Sequence, residues 1–208
     1  GKSQEAEDMF RLALSCNERM FGMAHPTTLG TVVKIAVLLS DQQLWDESEA
    51  MHRRALVGYE EYYGGEHPLC VDEVQYVGEL MLRAEVIPEA EQLLRRALKS
   101  RRVLYPGAIG HTKTFDTSHC LAVLVQKQTK WKHDPRIHAR IAEAEELYKL
   151  ALTGRDHHFG QHGDASIETA AALADYLFEN DRLLEAEELW RRVLEVRRKK
   201  LGELCEDT

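Results

Sequence analysis

The chain has 208 residues, 44% of them hydrophobic, and a formal net charge of −8. An acidic balance of this size argues against a general nucleic-acid binder, which would present a basic surface. No apolar run approaches the roughly 18–20 residues that cross a bilayer, and no basic-then-apolar leader opens the sequence.

Read in chain order, a first helix is expected at about 3–21, closed by Phe21-Gly22. His25-Pro26 then opens a second. Residues 27–44 place Val32, Ile35, Ala36 and Leu39 at the spacing of one helical face. Pro26 suits the first turn, where its missing N–H costs nothing. A short polar break precedes a third helix at about 46–63. Asp46 is its expected N-cap, and Glu47 and Glu49 put negative charge where the helix dipole favours it. Gly64-Gly65 ends that helix, and His67-Pro68 opens another.

The same grammar returns along the whole chain. Glu5-Ala6-Glu7, Glu47-Ser48-Glu49, Glu89-Ala90-Glu91, Glu143-Ala144-Glu145 and Glu185-Ala186-Glu187 lie 42, 42, 54 and 42 positions apart. A fixed period in this range signals a solenoid, whose units stack because none buries its apolar face alone. Phe21-Gly22, Tyr63-Gly64, Tyr105-Pro106, Phe159-Gly160 and Leu201-Gly202 each put an apolar anchor and a breaker at one register. Ala36, Gly78, Ala122 and Ala174 supply a small residue in each first (A) helix, as Ala6, Ser48, Ala90, Ala144 and Ala186 do in each second (B) helix. Small residues facing each other let helices approach closely. The expectation is an all-α, right-handed α-solenoid of about nine helices and no strands. It has a lone B helix at 1–21 and helix pairs at 26–63, 68–105, 111–159 and 164–201. Breaks every 42 residues exclude one continuous coiled coil. The chain opens on Gly1 rather than Met, and a fragment of a longer repeat protein is expected.

These residues resemble the tetratricopeptide repeat. The 42-residue period, long B helix and Gly-x-x-His-Pro link are similar to the kinesin-light-chain type. The resemblance implies a superhelix whose A helices line a concave groove for peptides or partner domains. Transferred by register, the groove positions are Val33, Val37 and Asp41; Asp72, Gln75, Glu79 and Arg83; Asp116, His119 and Lys127; and Glu168, Ala171, Asp175 and Phe178. Acidic residues prevail among them, so basic or mixed peptides are the expected partners. Kinesin light chains use asparagines just before the small A-helix residue; here those slots hold Val33-Lys34, Gln75-Tyr76, His119-Cys120 and Ala171-Ala172. Binding of that family's tryptophan-acidic cargo motifs is therefore not expected.

The third pair departs from the pattern. Its link loses His-Pro, and its inner loop is expected to span 127–140. Lys127, Lys130, Lys132, Arg136 and Arg140 outnumber Asp134 there, with Trp131 among them. Insertions in solenoids map to one face, so Lys130, Trp131, Lys132 and Arg136 form a candidate docking loop. A tolerated surface insertion is the plainer reading.

Chemistry finds little support. His157, His158 and His162 are interrupted by Gly160, and no nucleophile motif, phosphate loop or paired zinc ligands appear. Cys16, Cys70, Cys120 and Cys205 lack close-paired spacing, so reduced thiols in a cytoplasmic protein are expected. The leading expectation is a non-catalytic protein-interaction scaffold without cofactor or metal. It would bind neither nucleic acid nor membrane. The alternative is a sensing or spacer arm of a multidomain receptor or NTPase, or a module that self-associates through its ends.

Overall fold

The computed structural model describes residues 2–107, 110–129 and 135–201. These form α1 (Lys2–Phe21), α2 (Pro26–Asp41), α3 (Trp45–Tyr63), α4 (Pro68–Arg83), α5 (Ile87–Leu104), α6 (Thr112–Thr129), α7 (Ile137–Phe159), α8 (Asp164–Glu179) and α9 (Leu183–Leu201). Nine helices and no strand are thus present among the described residues. Even-numbered helices are of the A type and odd-numbered ones of the B type. The fold is an all-α repeat solenoid whose contacts divide into two compact units, Gly1–Leu104 and Tyr105–Thr208. Within each unit every helix packs on the next in sequence.

The repeat grammar acts as short-range physics. His25 and His67 are N-caps, their Nδ1 atoms accepting from the backbone N–H of Thr27 at 3.2 Å and Leu69 at 3.3 Å. His111 accepts from Lys113 in the same way at 3.2 Å. Each imidazole also stacks on the aromatic residue closing the preceding helix: Phe21 at 5.0 Å, Tyr63 at 4.1 Å and Tyr105 at 4.5 Å. One side chain therefore satisfies an orphan helix donor and fixes the chain reversal. Gly64 and Gly160, with φ of 84° and 75°, follow α3 and α7, in a region that L side chains avoid.

Three boundaries differ from expectation. Asp46 is not the N-cap of α3; that helix starts at Trp45 after Leu44, which makes no side-chain cap, and Asp46 and Glu47 lie in its first turn. The turn itself does the capping. Gln43, Glu85 and Asp181 adopt φ of 64°, 61° and 61°, and the following N–H groups of Leu44, Val86 and Arg182 reach back to Leu39, Met81 and Leu177. Such left-handed closures satisfy the last carbonyls of the A helix, so α2 stops at Asp41 rather than running to residue 44. In the third pair, α6 continues through Thr129 and α7 begins at Ile137, so Lys127 and Arg140 are helical and the loop is shorter than expected.

The small residues face one another in the interior. Ala36, Ala90, Ala122, Ala144, Ala174 and Ala186 are fully buried, as is Ser48, whose hydroxyl donates to the Ala36 carbonyl at 2.8 Å. A Cβ at Gly78 would lie 3.1 Å from the Leu94 side chain, so even an alanine there would require Leu94 to shift. Leu39, Met81, Leu94, Val125, Tyr148 and Leu177 pack around these contacts. On the B helices, Glu18–Arg54, Glu60–Arg96 and Asp156–Arg192 ion pairs, each 2.5 Å, join successive B helices at a spacing of 36 residues.

Candidate functional site

The A-helix faces carry the residues singled out by register. In the first unit, α2 contributes half-buried Val33 and exposed Val37 and Asp41. On α4, Asp72 is not a free acid: it accepts from the guanidinium of Arg101 on α5 at 2.9 Å. Gln75 is buried, accepts from the same guanidinium and donates to Glu79 at 2.5 Å. Exposed Arg83 lies 5.0 Å above the Trp45 ring, a cation–π contact. Polar groups on this face are thus tied to a buried cation below them.

The second unit repeats the device. Arg155 of α7 donates through Nε at 3.1 Å and Nη2 at 2.8 Å to Asp116. Its Nη1 reaches α8, donating to Thr169 Oγ1 at 2.6 Å, to the Ala165 carbonyl at 3.0 Å and weakly to the exposed Glu168 at 3.4 Å. His119 lies beside this cluster, edge-on to Tyr148 at 5.8 Å. It is 9% exposed, and its Nδ1 is buried without a hydrogen-bond partner. Burial, reinforced by the positive charge of Arg155 and opposed by Asp116, pushes its pKa down to about 4. The imidazole is therefore neutral near neutral pH.

Further along α8 the face turns apolar. Phe178 is 53% exposed and sits 5.2 Å from the Trp190 ring. Trp190 in turn donates its indole N–H to Asp175 at 3.0 Å. Gln126 bridges the two A helices, donating to Glu179 at 2.8 Å while accepting from the Tyr148 hydroxyl at 2.6 Å. Ala171 is half-buried. Lys127 is exposed on the last turn of α6.

The structure thus links Asp116 of α6 to Glu168 of α8 through Arg155, with His119 beside them, and links Asp175 to Phe178 through Trp190 further along α8. Arg136 precedes α7 and is exposed, while Lys130, Trp131 and Lys132 lie outside the described residues. Sequence reasoning missed Arg101 and Arg155, whose side chains are nearly wholly buried. The signal was available: both occupy one B-helix slot, 54 positions apart, on a stripe otherwise facing inward. The consequence is electrostatic. Asp72 and Asp116 serve internal guanidiniums, so the face is less acidic than its residue list implies. Among the described residues no group of three or more His, Cys, Asp or Glu could hold a metal ion.

A tetratricopeptide-repeat family model matches residues 28–69 and 166–207. The fold of the chain is that of a tetratricopeptide-repeat solenoid. Its fold is similar to that of a kinesin light chain-type protein of Podosopora anserina with nearly identical TPR-like repeats. That likeness has a TM-score of 0.73 at 16% identity, over 96% of this chain and 89% of the other. BtubC (BKLC) from P. vanneervenii matches with a TM-score of 0.70 at 17% identity, over 99% of this chain and 77% of that one. MamA matches at 0.61 and 14%, over 95% and 94%. No curated protein sequence matches significantly. At these identities the solved neighbours establish the fold of the TPR solenoid and nothing about its ligand. No helix among the described residues is long and apolar enough to cross a membrane.

Proposed function

We propose that this TPR solenoid is a non-catalytic interaction scaffold that binds a peptide or partner domain on the A-helix face of its second unit. The observation that carries the proposal is Phe178. It is a large aromatic side chain left half-exposed beside Trp190, on a face whose surrounding polar groups are otherwise hydrogen-bonded internally. An exposed aromatic anchored on a rigid helix and ringed by positioned polar groups is the usual composition of an energetic centre of binding. Asp175, held by the Trp190 indole, supplies the neighbouring polar contact. The exposed Glu168 favours a basic or mixed ligand, by steering more than by affinity. The free thiols of Cys16, Cys70 and Cys120 support a cytoplasmic setting.

Calorimetric titration of the 208-residue chain against a library of mixed-charge peptides tests the reading. Phe178→Ala is expected to weaken every true ligand by about tenfold or more. Asp175→Lys should weaken basic ligands more than neutral ones. Ligands indifferent to both substitutions would place binding elsewhere.

A further inference from the structure

Five rings form one continuous chain along the links of the first unit. Phe21 stacks on His25 at 5.0 Å, and His25 meets Tyr62 edge-on at 6.2 Å. Tyr62 meets Tyr63 edge-on at 4.7 Å, and Tyr63 stacks on His67 at 4.1 Å. Four of these rings serve the fold: each imidazole caps a helix and stacks on the aromatic residue closing the helix before it. Tyr62 has no such duty. Its slot holds Met20, Leu104, His158 and Lys200 in the other repeats, so the repeat imposes no particular side chain there. Yet Tyr62 is 57% exposed, beside Phe21 at 46% and Tyr63 at 41%. This is not the bare side of a terminal helix, because α3, which carries both tyrosines, packs on α2 and on α4.

We propose that this chain of rings is a docking surface whose occupant is an arginine-bearing segment of a partner protein. The argument is electrostatic complementarity. The face of an aromatic ring carries negative potential and attracts a cation. Neither neighbour lies parallel to Tyr62, the interplanar angles being 70° and 71°, so neither stacks over its face. The imidazoles add no positive charge, since an Nδ1 that accepts from a backbone N–H carries no proton. Exposed carboxylates flank the rings. Glu61 precedes Tyr62 and Glu66 precedes His67, and neither has an ion-pair partner among the described residues. The guanidiniums of Arg54 and Arg96, which reach the ends of α1 and α3, are occupied by Glu18 and Glu60 at 2.5 Å. Arg19 holds the place of Glu61 one repeat earlier, so carboxylate remains in excess. Arginine suits such a surface better than lysine, because its planar guanidinium stacks on a ring and is more weakly hydrated.

This surface does not rest on the ligand face of the second unit, and the test keeps the two apart. The 208-residue chain is titrated with a short arginine–glycine peptide, and binding is read by NMR at the tyrosine ring resonances. Lysine–glycine and citrulline–glycine peptides of the same length serve as comparisons. The arginine peptide should shift Tyr62 and Tyr63 saturably. The lysine peptide, equal in charge, should bind about threefold or more weakly, and the uncharged citrulline peptide should not saturate. Tyr62→Leu installs the side chain that the next repeat carries at Leu104, and circular dichroism should show its helices unchanged. It should weaken the arginine peptide by about threefold or more, whereas Tyr62→Phe, which keeps the ring, should change it by less than about twofold. Phe178→Ala should leave this titration unaltered. No saturable shift at Tyr62, a citrulline or lysine peptide as tight as the arginine one, or a Tyr62→Leu variant that binds as well as the parent would each overturn the proposal. Binding lost in Phe178→Ala but kept in Tyr62→Leu would overturn it too, and would assign the cation to the second unit.

Discussion

His52 Nδ1 and Glu73 Oε2 lie 2.6 Å apart in the interior of the first unit, both side chains almost wholly buried, with Tyr76 stacked on the imidazole at 5.1 Å. In other repeats the His52 slot holds Leu94 or Tyr148, and the Glu73 slot holds Thr31, Thr117 or Thr169. The molecule therefore carries its own apolar alternative. His52→Leu alone should destabilise the fold by about 3 kcal/mol, because it strands a buried carboxylate. The double substitution His52→Leu with Glu73→Thr should be near neutral or stabilising. Urea unfolding followed by circular dichroism measures both; a double variant as unstable as the single would show that the pair itself holds the unit.

Arg155 gathers Asp116, Thr169 and the Ala165 carbonyl around one buried guanidinium. Replacing it with Met leaves the Asp116 carboxylate without its donors, although Thr169 still donates to the Ala165 carbonyl, and should cost about 3 kcal/mol. Arg155→Lys should rescue little, since both Nε and Nη2 engage Asp116 and a single ammonium cannot reproduce that fork. As a surface comparison, removing Lys200, which pairs with the exposed Asp164, should change stability by less than about 1 kcal/mol. Thermal melting of the three variants gives the ranking.

Stability should fall with acid in a defined window. His119 has its folded-state pKa pushed down to about 4, against about 6.5 in an unfolded chain. Between these values the unfolded state binds more protons, so stability rises with pH there. The contribution is complete above about pH 6.5 and lost as pH falls toward 4, up to about 3 kcal/mol in all. His119→Phe should flatten unfolding curves across that interval. An unchanged slope in the variant would remove His119 as the cause.

The His67 cap separates two contributions. His67→Ala loses both the Nδ1 acceptor at the start of α4 and the stack on Tyr63, and should cost about 1–2 kcal/mol. His67→Asn keeps an acceptor for the Leu69 N–H and should cost less. If both cost the same, the aromatic stack and not the cap orders the link. Chemical denaturation distinguishes them.

The architecture was legible because its determinants are local. Gly64, His67-Pro68 and the buried Ala36 and Ala90 act within a turn or across one helix contact, and such constraints survive in linear order. Asp46 misled because a good capping side chain implied a capping role, whereas Gln43 and its left-handed backbone close the turn without one. Charged residues of the third pair hid helix ends, since Lys127 and Arg140 contribute nothing to an apolar period. The candidate site was harder to read. Register placed Asp72 and Asp116 on A helices, but their charge is answered by Arg101 and Arg155 from a different helix. A pairing across tens of residues leaves no trace in composition, only in the recurrence of one slot.

The rungs Glu18–Arg54, Glu60–Arg96 and Asp156–Arg192 are partly solvent-exposed, whereas the guanidiniums of Arg101 and Arg155 are shielded by protein. Added electrolyte reaches the first set and barely touches the second. At high ionic strength each unit should therefore loosen from its outer shell inward, keeping its inner clasp while its B helices slacken against one another.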